Sequence, residues 1–177
     1  MDYGLQSRVP TDGATRDPAY GRAVQSKKTD ITGPVVVVGY DGSSTSRAAV
    51  EHAARQAGPQ GKIYVVHSYA PPPDWLGFPN YQRVLDDHRA RGQATLDGLT
   101  MSDDPLLETK FETELLDSPP AEAITKVAET RGADEIVIGS RGLGRVRSAL
   151  GSVSQEVLHR ATIPVVVIPH VDEPRMK

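Results

Sequence analysis

Cysteine is absent from the 177 residues of this sequence. Its absence excludes disulfides, thiolate catalysis and cysteine-ligated zinc, and it is typical of a reducing compartment. No apolar run approaches the roughly 20 residues needed to span a bilayer, and the N-terminal segment lacks the apolar core of a secretory signal. We therefore expect a soluble, cytoplasmic protein with no membrane partner.

Aromatic residues and net charge are also low. Aromatics make up 5% of the chain, and 20 basic against 23 acidic residues leave a formal charge of −3. This balance gives no electrostatic footprint for DNA or RNA, so we expect no nucleic-acid partner. The chain is nevertheless long enough to bury one self-sufficient core without a disulfide or a metal.

The length fits one domain with tails. Residues 1–32 are poor in large apolar side chains and cannot bury enough surface to offset their ordering entropy. We predict a disordered N-terminal tail at 1–32, one α/β domain at 33–170 and a short polar tail at 171–177. A partner-binding role for the first tail stays open.

Within the domain, apolar runs bounded by glycine and proline alternate with amphipathic segments. The predicted strands cover residues 34–39, 62–67, 107–115, 134–139 and 164–168. The predicted helices begin at a cap at Ser43 or Ser44, at about Gln82, at a cap at Ser118, and shortly after Gly151. Residues 69–79 contain four prolines and are predicted to form a loop.

Two helix details are specific enough to test. Ser118 as cap, followed by Pro119 at the first helical position, predicts a third helix that buries Ile124 and Ala128. The last helix is predicted to turn four apolar side chains inward: Val153, Val157, Leu158 and Ala161. The third strand alternates apolar and charged residues, which is typical of a sheet edge.

Strands alternating with helices predict a doubly wound parallel sheet with helices on both faces. The first and fourth strands are the most uniformly apolar, so we expect them inside the sheet with their following loops side by side. These loops, 39–44 and 139–144, hold the densest glycine in the domain. In such sheets ligands bind at the carboxyl ends of the strands, where the strand order reverses.

The second loop and the helix after it suit phosphate oxygens. Glycines let backbone N–H groups approach a ligand closely, and the helix beginning near Gly151 offers unpaired N–H groups and the positive end of its dipole. Ser152 and Ser154 could add hydroxyl donors, and Arg141, Arg145 and Arg147 add positive charge. The alternative is that these glycines form ordinary turns and that Ser152 is an ordinary helix cap.

Asp41 follows the first strand, at the mouth of the same crevice. A carboxylate in this position suits ribose hydroxyls, whereas a turn or cap role is the structural alternative. No Walker A loop occurs, since Gly61-Lys62 is followed by Ile63. No nucleophile with a positioned base can be named, so the sequence favours binding over catalysis. A weak, Mg²⁺-assisted ATPase activity stays open.

Three segments resemble the universal stress protein family: VVVVGYDGSSTSRAAVEHAA, the strand end VVHSY, and GSRGLGRVRSALGSVSQEVLHRATIPVVVI. The resemblance covers Pro34 to Pro169. ATP-binding members of the family carry Gly-x2-Gly-x9-Gly-Ser/Thr. Gly139, Gly142 and Gly151-Ser152 match this motif, although eight residues rather than nine separate Gly142 from Gly151.

The resemblance implies the strand order 3-2-1-4-5 and a stress-response regulator that binds an adenine nucleotide, ATP first, with AMP, ADP or cyclic AMP as alternatives. It also implies the roles of the site residues. Asp41 would contact ribose, and the adenine would be bordered by Gly39, Tyr40 and Ser68. The ribose and α-phosphate would meet Gly139, Arg141 and Gly142. The outer phosphates would meet Gly151, Ser152, Val153 and Ser154.

Two further expectations concern partners. Residues 165–168 are apolar on both faces although they end the sheet, which predicts a homodimer that pairs this strand with its copy. The shortened motif leaves open a protein of another class, a dimeric interaction module that has lost nucleotide binding.

Overall fold

The computed structural model describes residues 31–100, 109–142 and 150–170. Residues 1–30 of the predicted N-terminal tail (1–32) and the whole predicted C-terminal tail at 171–177 lie outside the described residues. So do the start of the predicted third strand at 107–108 and the side chains of Arg145 and Arg147.

The described chain alternates strands and helices as predicted. The strands are β1 (Val35–Gly39), β2 (Lys62–Ser68), β3 (Lys110–Leu116), β4 (Glu135–Gly139) and β5 (Val165–Ile168). The helices are α1 (Ser44–Ala57), α2 (Asn80–Thr100), α3 (Pro120–Arg131) and α4 (Ser152–Arg160). Residues 69–79 form a loop with one 3₁₀ turn, Asp74–Leu76. No helix among the described residues combines the length and apolar character needed to cross a membrane.

The five strands form one parallel sheet in the order β3-β2-β1-β4-β5, which confirms the predicted fold. β1 pairs with β2 on one side and β4 on the other, so the loops after β1 and β4 leave the sheet side by side. The strand order reverses at this point, because the chain passes from β3 to the far side of β1. Ligand crevices of doubly wound sheets form at such reversals.

Each face of the sheet has its own buried core. On one face, Val36, Val38 and Val65 pack against alanines of α1 and against Leu96 and Leu99 of α2. On the other face, the alternate strand positions pack against α3 and against Val157 of α4. Because strand side chains alternate between faces, the sheet is covered on both sides and its inner strands read as continuous apolar runs.

The prediction that Ser118 caps the third helix is wrong. α3 begins at Pro120, with Pro119 in the cap position and no side-chain cap hydrogen bond. Pro119 has an extended backbone with ψ of 137°, because the ring of the following proline disfavours the helical region for the residue before it. The helix therefore begins one residue later, and it buries Ile124 and Ala128 as predicted.

The predicted inner face of the last helix is only partly correct. Val157 is fully buried, but Val153 and Leu158 are 36% and 43% exposed, and Ala161 lies after the helix end. At 100° per residue, Val153 and Leu158 each lie about 70° from the midpoint between the buried Ser154 and Val157. They therefore flank the buried stripe of this short helix.

The two edges of the sheet differ in chemistry: ion pairs flank the β3 edge, whereas the β5 edge is apolar. Beside β3, Lys62 and Arg131 pair with Glu112 and Glu114 at 2.6 and 2.8 Å, and both cations lie 4.8 Å from the centre of the Tyr64 ring. Burial lowers the pKa of Lys62, but hydrogen bonds to Glu112 and Tyr64 outweigh it and raise the pKa above its usual 10.5.

All four residues of β5 are apolar and only half-buried. The loop at 69–79 leaves the sheet at the opposite edge. The Tyr69 N–H donates to Leu116 of β3 at 3.0 Å, and the Tyr69 ring packs edge-on against His88 of α2. This loop therefore begins at the β3 side of the sheet.

Candidate functional site

A cavity of about 290 Å³ lies at the carboxyl ends of β1, β2 and β4, where the strand order reverses. Apart from Arg145 and Arg147, which lie outside the described residues, the site residues predicted from the sequence all line this one cavity. They are Gly39, Tyr40, Asp41, Ser68, Gly139, Arg141, Gly142, Gly151, Ser152, Val153 and Ser154. The cavity has two chemically different halves. We call them the Asp41 half (the ends of β1 and β2 with the apolar side chains of Ile124 and Ile138) and the α4 half (residues 139–142 and the start of α4).

In the Asp41 half, the carboxylate of Asp41 is fixed by its own loop. Its Oδ1 accepts a hydrogen bond from the Ser43 N–H at 3.0 Å, and the Asp41 N–H donates to the Ser46 hydroxyl at 3.4 Å. The turn role left open by the sequence is therefore present. It orients the carboxylate and does not exclude a ligand, because each carboxylate oxygen can accept more than one hydrogen bond.

Gly142 leaves room for this carboxylate. A Cβ atom built on Gly142 would collide with Oδ2 of Asp41. The loops after β1 and β4 are therefore packed directly against each other at these two residues. A larger residue at 142 would displace Asp41, so such a change would disturb both halves of the cavity rather than only the phosphate end.

An apolar slot adjoins Asp41. Its walls come from Val66 of β2, Ile138 of β4, and Pro120 and Ile124 of α3. A Cβ at Gly39 would lie 2.7 Å from Cδ1 of Ile124, so the glycine lets α3 close down on the end of β1. These side chains make this part of the cavity wall apolar.

Tyr40 is predicted to border the adenine, but its side chain points into the core of the protein. Its side chain is 8% exposed and belongs to the core on the α1 and α2 face. Its N–H donates to the Val66 carbonyl at 2.9 Å, which extends the pairing of β1 with β2 by one residue. Tyr40 thus anchors the start of the Asp41 loop.

In the α4 half, the helix start is fixed to the end of β4. The Gly151 N–H donates to the Ser140 carbonyl at 2.7 Å, and the Ser154 hydroxyl donates to the Gly139 carbonyl at 2.8 Å. Gly151 is the cap residue, and α4 has no side-chain cap hydrogen bond. The alternative in which Ser152 caps this helix is therefore wrong, since Ser152 is its first residue and is exposed.

The prediction that Ser154 offers its hydroxyl proton to a ligand is also wrong. Ser154 is 3% exposed, and its hydroxyl donates to backbone carbonyls of β4. Ser152 keeps a hydroxyl at the cavity, so the polar contribution of this helix start comes from Ser152 and from backbone N–H groups. By contrast, α1 begins with a closed cap, in which the Ser43 hydroxyl accepts from the Ser46 N–H at 3.1 Å.

Two buried polar atoms of cavity residues have no hydrogen-bond partner among the described residues: the Ser68 hydroxyl oxygen and Nε of Arg141. Buried polar groups are normally paired, and leaving one unpaired costs about 1–3 kcal/mol. Ser68 belongs to the Asp41 half and Arg141 to the α4 half. Each half therefore holds one polar atom that is enclosed by protein and unpaired among the described residues.

Sequence reasoning missed six residues of the lining: Ser46, Val66, His67, Pro120, Ile124 and Ile138. Three of them, Val66, Ile124 and Ile138, have the pattern of core residues, and they do also pack in the core. For His67 the signal was present, because a histidine ends an otherwise apolar strand beside Ser68. Its partner, the backbone carbonyl of Tyr40 just after β1, could not be predicted from the sequence.

The fold and the cavity are those of a doubly wound α/β protein with a ligand crevice at its strand reversal. The sequence profile of the Universal stress protein family matches residues 34–169. The chain belongs to this family. A universal stress protein from Thermus aquaticus is 36% identical over 136 residues, which covers 75% of this chain and 96% of the relative.

Solved structures share the fold. The universal stress protein UspA from Lactobacillus plantarum aligns with a TM-score of 0.63 at 22% identity, covering 76% of this chain and 97% of its own. A universal stress protein solved in complex with cAMP aligns with a TM-score of 0.51 at 26% identity, covering 78% of this chain and 98% of its own.

Proposed function

We propose that the cavity binds an adenine nucleotide, with ATP as the first candidate, and that the protein acts as a nucleotide-dependent stress-response regulator. The observation that carries this proposal is the start of α4. It faces the cavity with no side-chain cap, while the neighbouring α1 closes its own start with Ser43. Uncapped N–H groups and the positive helix end suit phosphate oxygens.

The rest of the cavity fits the remaining parts of a nucleotide. The apolar side chains of the slot would pack against the base, and Ser68 would border its edge. Asp41 would accept hydrogen bonds from ribose hydroxyls. Arg141 would meet the α-phosphate, and the phosphate chain would then run to Ser152 and Val153.

The shortened glycine motif, with eight rather than nine residues between Gly142 and Gly151, is compatible with nucleotide binding. Gly151 and Ser154 are hydrogen-bonded directly to residues 139 and 140. These bonds fix the start of α4 against the end of β4, whatever the number of residues between Gly142 and Gly151. A one-residue difference in that interval can therefore leave the α4 half in place.

Cyclic AMP is the second candidate, because a universal stress protein of the same fold was solved in complex with cAMP. The two ligands would make different contacts with the start of α4. ATP carries β- and γ-phosphates that would extend to Ser152, whereas cyclic AMP has one phosphate closed onto its ribose. A preference for ATP would therefore depend on the α4 half.

The proposal is tested by a native mass spectrum of freshly purified protein, followed by calorimetric titration with ATP, ADP, AMP and cyclic AMP with and without Mg²⁺. We expect copurified nucleotide, or ATP binding at micromolar to sub-millimolar concentration. No heat with any of the four nucleotides would reject the proposal and favour an interaction module without a ligand. Turnover of ATP that requires Mg²⁺ and Ser152 would instead indicate an enzyme.

We also propose the homodimer predicted from β5. Its residues 165–168 are apolar and half-buried, although β5 ends the sheet and pairs only with β4 among the described strands. Unpaired apolar edges are normally covered or paired. Replacing Val166 with Lys should give a soluble monomer by light scattering, while the isosteric Val166→Thr should stay dimeric. A monomeric unmodified protein at tens of micromolar would contradict the proposal.

A further inference from the structure

His67 lies one residue before the end of β2 and bonds to the chain that leads into Asp41. Its Nδ1 is 2.7 Å from the carbonyl oxygen of Tyr40. A carbonyl oxygen only accepts hydrogen bonds, so Nδ1 must carry the proton. The ring thus joins the end of β2 to the last peptide before Asp41.

That peptide is held at both of its polar atoms. Its carbonyl oxygen, from Tyr40, accepts from His67, and its N–H, from Asp41, donates to the Ser46 hydroxyl at 3.4 Å. A peptide is planar and its two polar groups point in opposite directions. Fixing both groups fixes the rotation of the plane, and with it the direction in which the Asp41 side chain leaves the backbone.

The neighbouring helix leaves space for the imidazole. Gly92 is buried within α2, and a Cβ there would lie 3.1 Å from Cδ2 of His67 and 2.7 Å from Cδ1 of Leu115. Glycine in a helix interior costs about 0.5–1 kcal/mol relative to alanine. Here it allows α2 to pack closely over the histidine ring.

We propose that His67 is a positioning residue for ribose recognition. By holding the Tyr40–Asp41 peptide, it aims the Asp41 carboxylate at the place where ribose hydroxyls would lie. His67 acts through Asp41 and makes no contact of its own with the sugar. This inference rests on the proposed nucleotide site, but the hydrogen bond and its effect on Asp41 can be measured without any nucleotide.

The first experiment uses the nucleotide-free protein. In the unmodified chain, ¹⁵N chemical shifts of the His67 ring should show the proton on Nδ1. In His67→Leu, the Ser43 amide, which donates to Asp41, should exchange its hydrogen at least about tenfold faster. The Gly151 amide, which bonds to Ser140 in the other half, should be unchanged. In His67→Asn, whose side-chain N–H can replace Nδ1–H, Ser43 should keep most of its protection.

The second experiment compares AMP with 2′,3′-dideoxy-AMP. The unmodified protein should prefer AMP about tenfold, the effect expected for hydrogen bonds to a charged acceptor. His67→Leu should lose this preference, and His67→Asn should retain it. The gain in affinity from AMP to ATP should be the same in all three proteins, which a general loss of structure would not allow.

The two proposals fail in different ways. If His67 carries its proton on Nε2, or if Ser43 stays protected in His67→Leu, the positioning role is overturned even where nucleotides bind. The role is equally overturned if Asp41→Asn loses the preference for AMP while His67→Leu keeps it. If no nucleotide binds the unmodified protein, the proposed function fails, and the exchange rates of Ser43 still decide what His67 does.

Discussion

The two halves of the cavity are built in opposite ways. In the Asp41 half, hydrogen bonds within the protein hold the groups in place: the Ser43 N–H binds the Asp41 carboxylate, and His67 and Ser46 bind the preceding peptide. In the α4 half, the backbone is fixed to β4, but the helix start itself has no side-chain cap. The Asp41 half is ordered by hydrogen bonds within the protein. The α4 half instead offers helix N–H groups that no side chain caps.

This contrast has a chemical reason. Ribose hydroxyls are neutral and need an acceptor held in one direction, which internal hydrogen bonds can provide. Phosphates carry full charges, and they bind best to donors and dipoles with no other partner. The halves should therefore respond differently to substitution.

The largest effect is expected from a negative charge in the α4 half. Ser152→Glu places a carboxylate at the first position of α4, where it would repel the phosphates. An interaction of about 3 kcal/mol lowers ATP affinity on the order of 100-fold, while adenosine affinity should change less than about threefold. Calorimetry with both ligands measures the difference.

The control for this change is Ser152→Gln, which has nearly the same shape without the charge and should keep most of the ATP affinity. The thermal stability of Ser152→Glu should not fall, since an acidic residue in the first turn favours a helix by about 0.3–1 kcal/mol. Equal losses for adenosine and ATP would mean that the phosphates do not lie at α4.

A smaller effect is expected in the Asp41 half. Asp41→Asn keeps an oxygen that can accept from the Ser43 N–H but removes the charge offered to ribose. Adenosine affinity should fall about tenfold. The loss for ATP should be smaller, because the substitution also removes a repulsion toward the phosphates. A greater loss for ATP than for adenosine would contradict this assignment.

The smallest effect separates two glycines of α2. Gly98 has nothing within 4 Å of an added Cβ, so Gly98→Ala should raise the free energy of unfolding by about 0.5–1 kcal/mol. Gly92→Ala would crowd His67 and Leu115, and it should lower that free energy by about 1 kcal/mol. Denaturant unfolding measures both.

These two variants also bear on the cavity. Gly92→Ala should weaken adenosine binding through the Asp41 half and leave the gain from added phosphates intact, and Gly98→Ala should change neither. An adenosine affinity unaltered by Gly92→Ala would show that α2 does not support the Asp41 half.

Much of this architecture could be predicted from the sequence, because it follows from local patterns. Apolar runs such as Val35–Val38 identify buried strands, and the charged alternation of residues 110–114 identifies an edge. The meeting of the glycine-rich loops follows from a parallel sheet in which the two most apolar strands, the first and the fourth, lie inside. What could not be predicted depends on the direction of single groups. The Ser154 hydroxyl turns to the Gly139 carbonyl rather than to the cavity, and His67 bonds to a carbonyl 27 residues before it.

The central claim is that base and ribose lie in the Asp41 half and the phosphates in the α4 half. It is tested most directly by amide chemical shifts of ¹⁵N-labelled protein, titrated first with adenosine and then with ATP. Adenosine should shift the amides of Asp41 and Ser68 but not those of α4, and ATP should in addition shift those of Ser152 and Val153. If ATP leaves the α4 amides unmoved, or if adenosine alone shifts them as strongly, the division of the cavity described here is wrong.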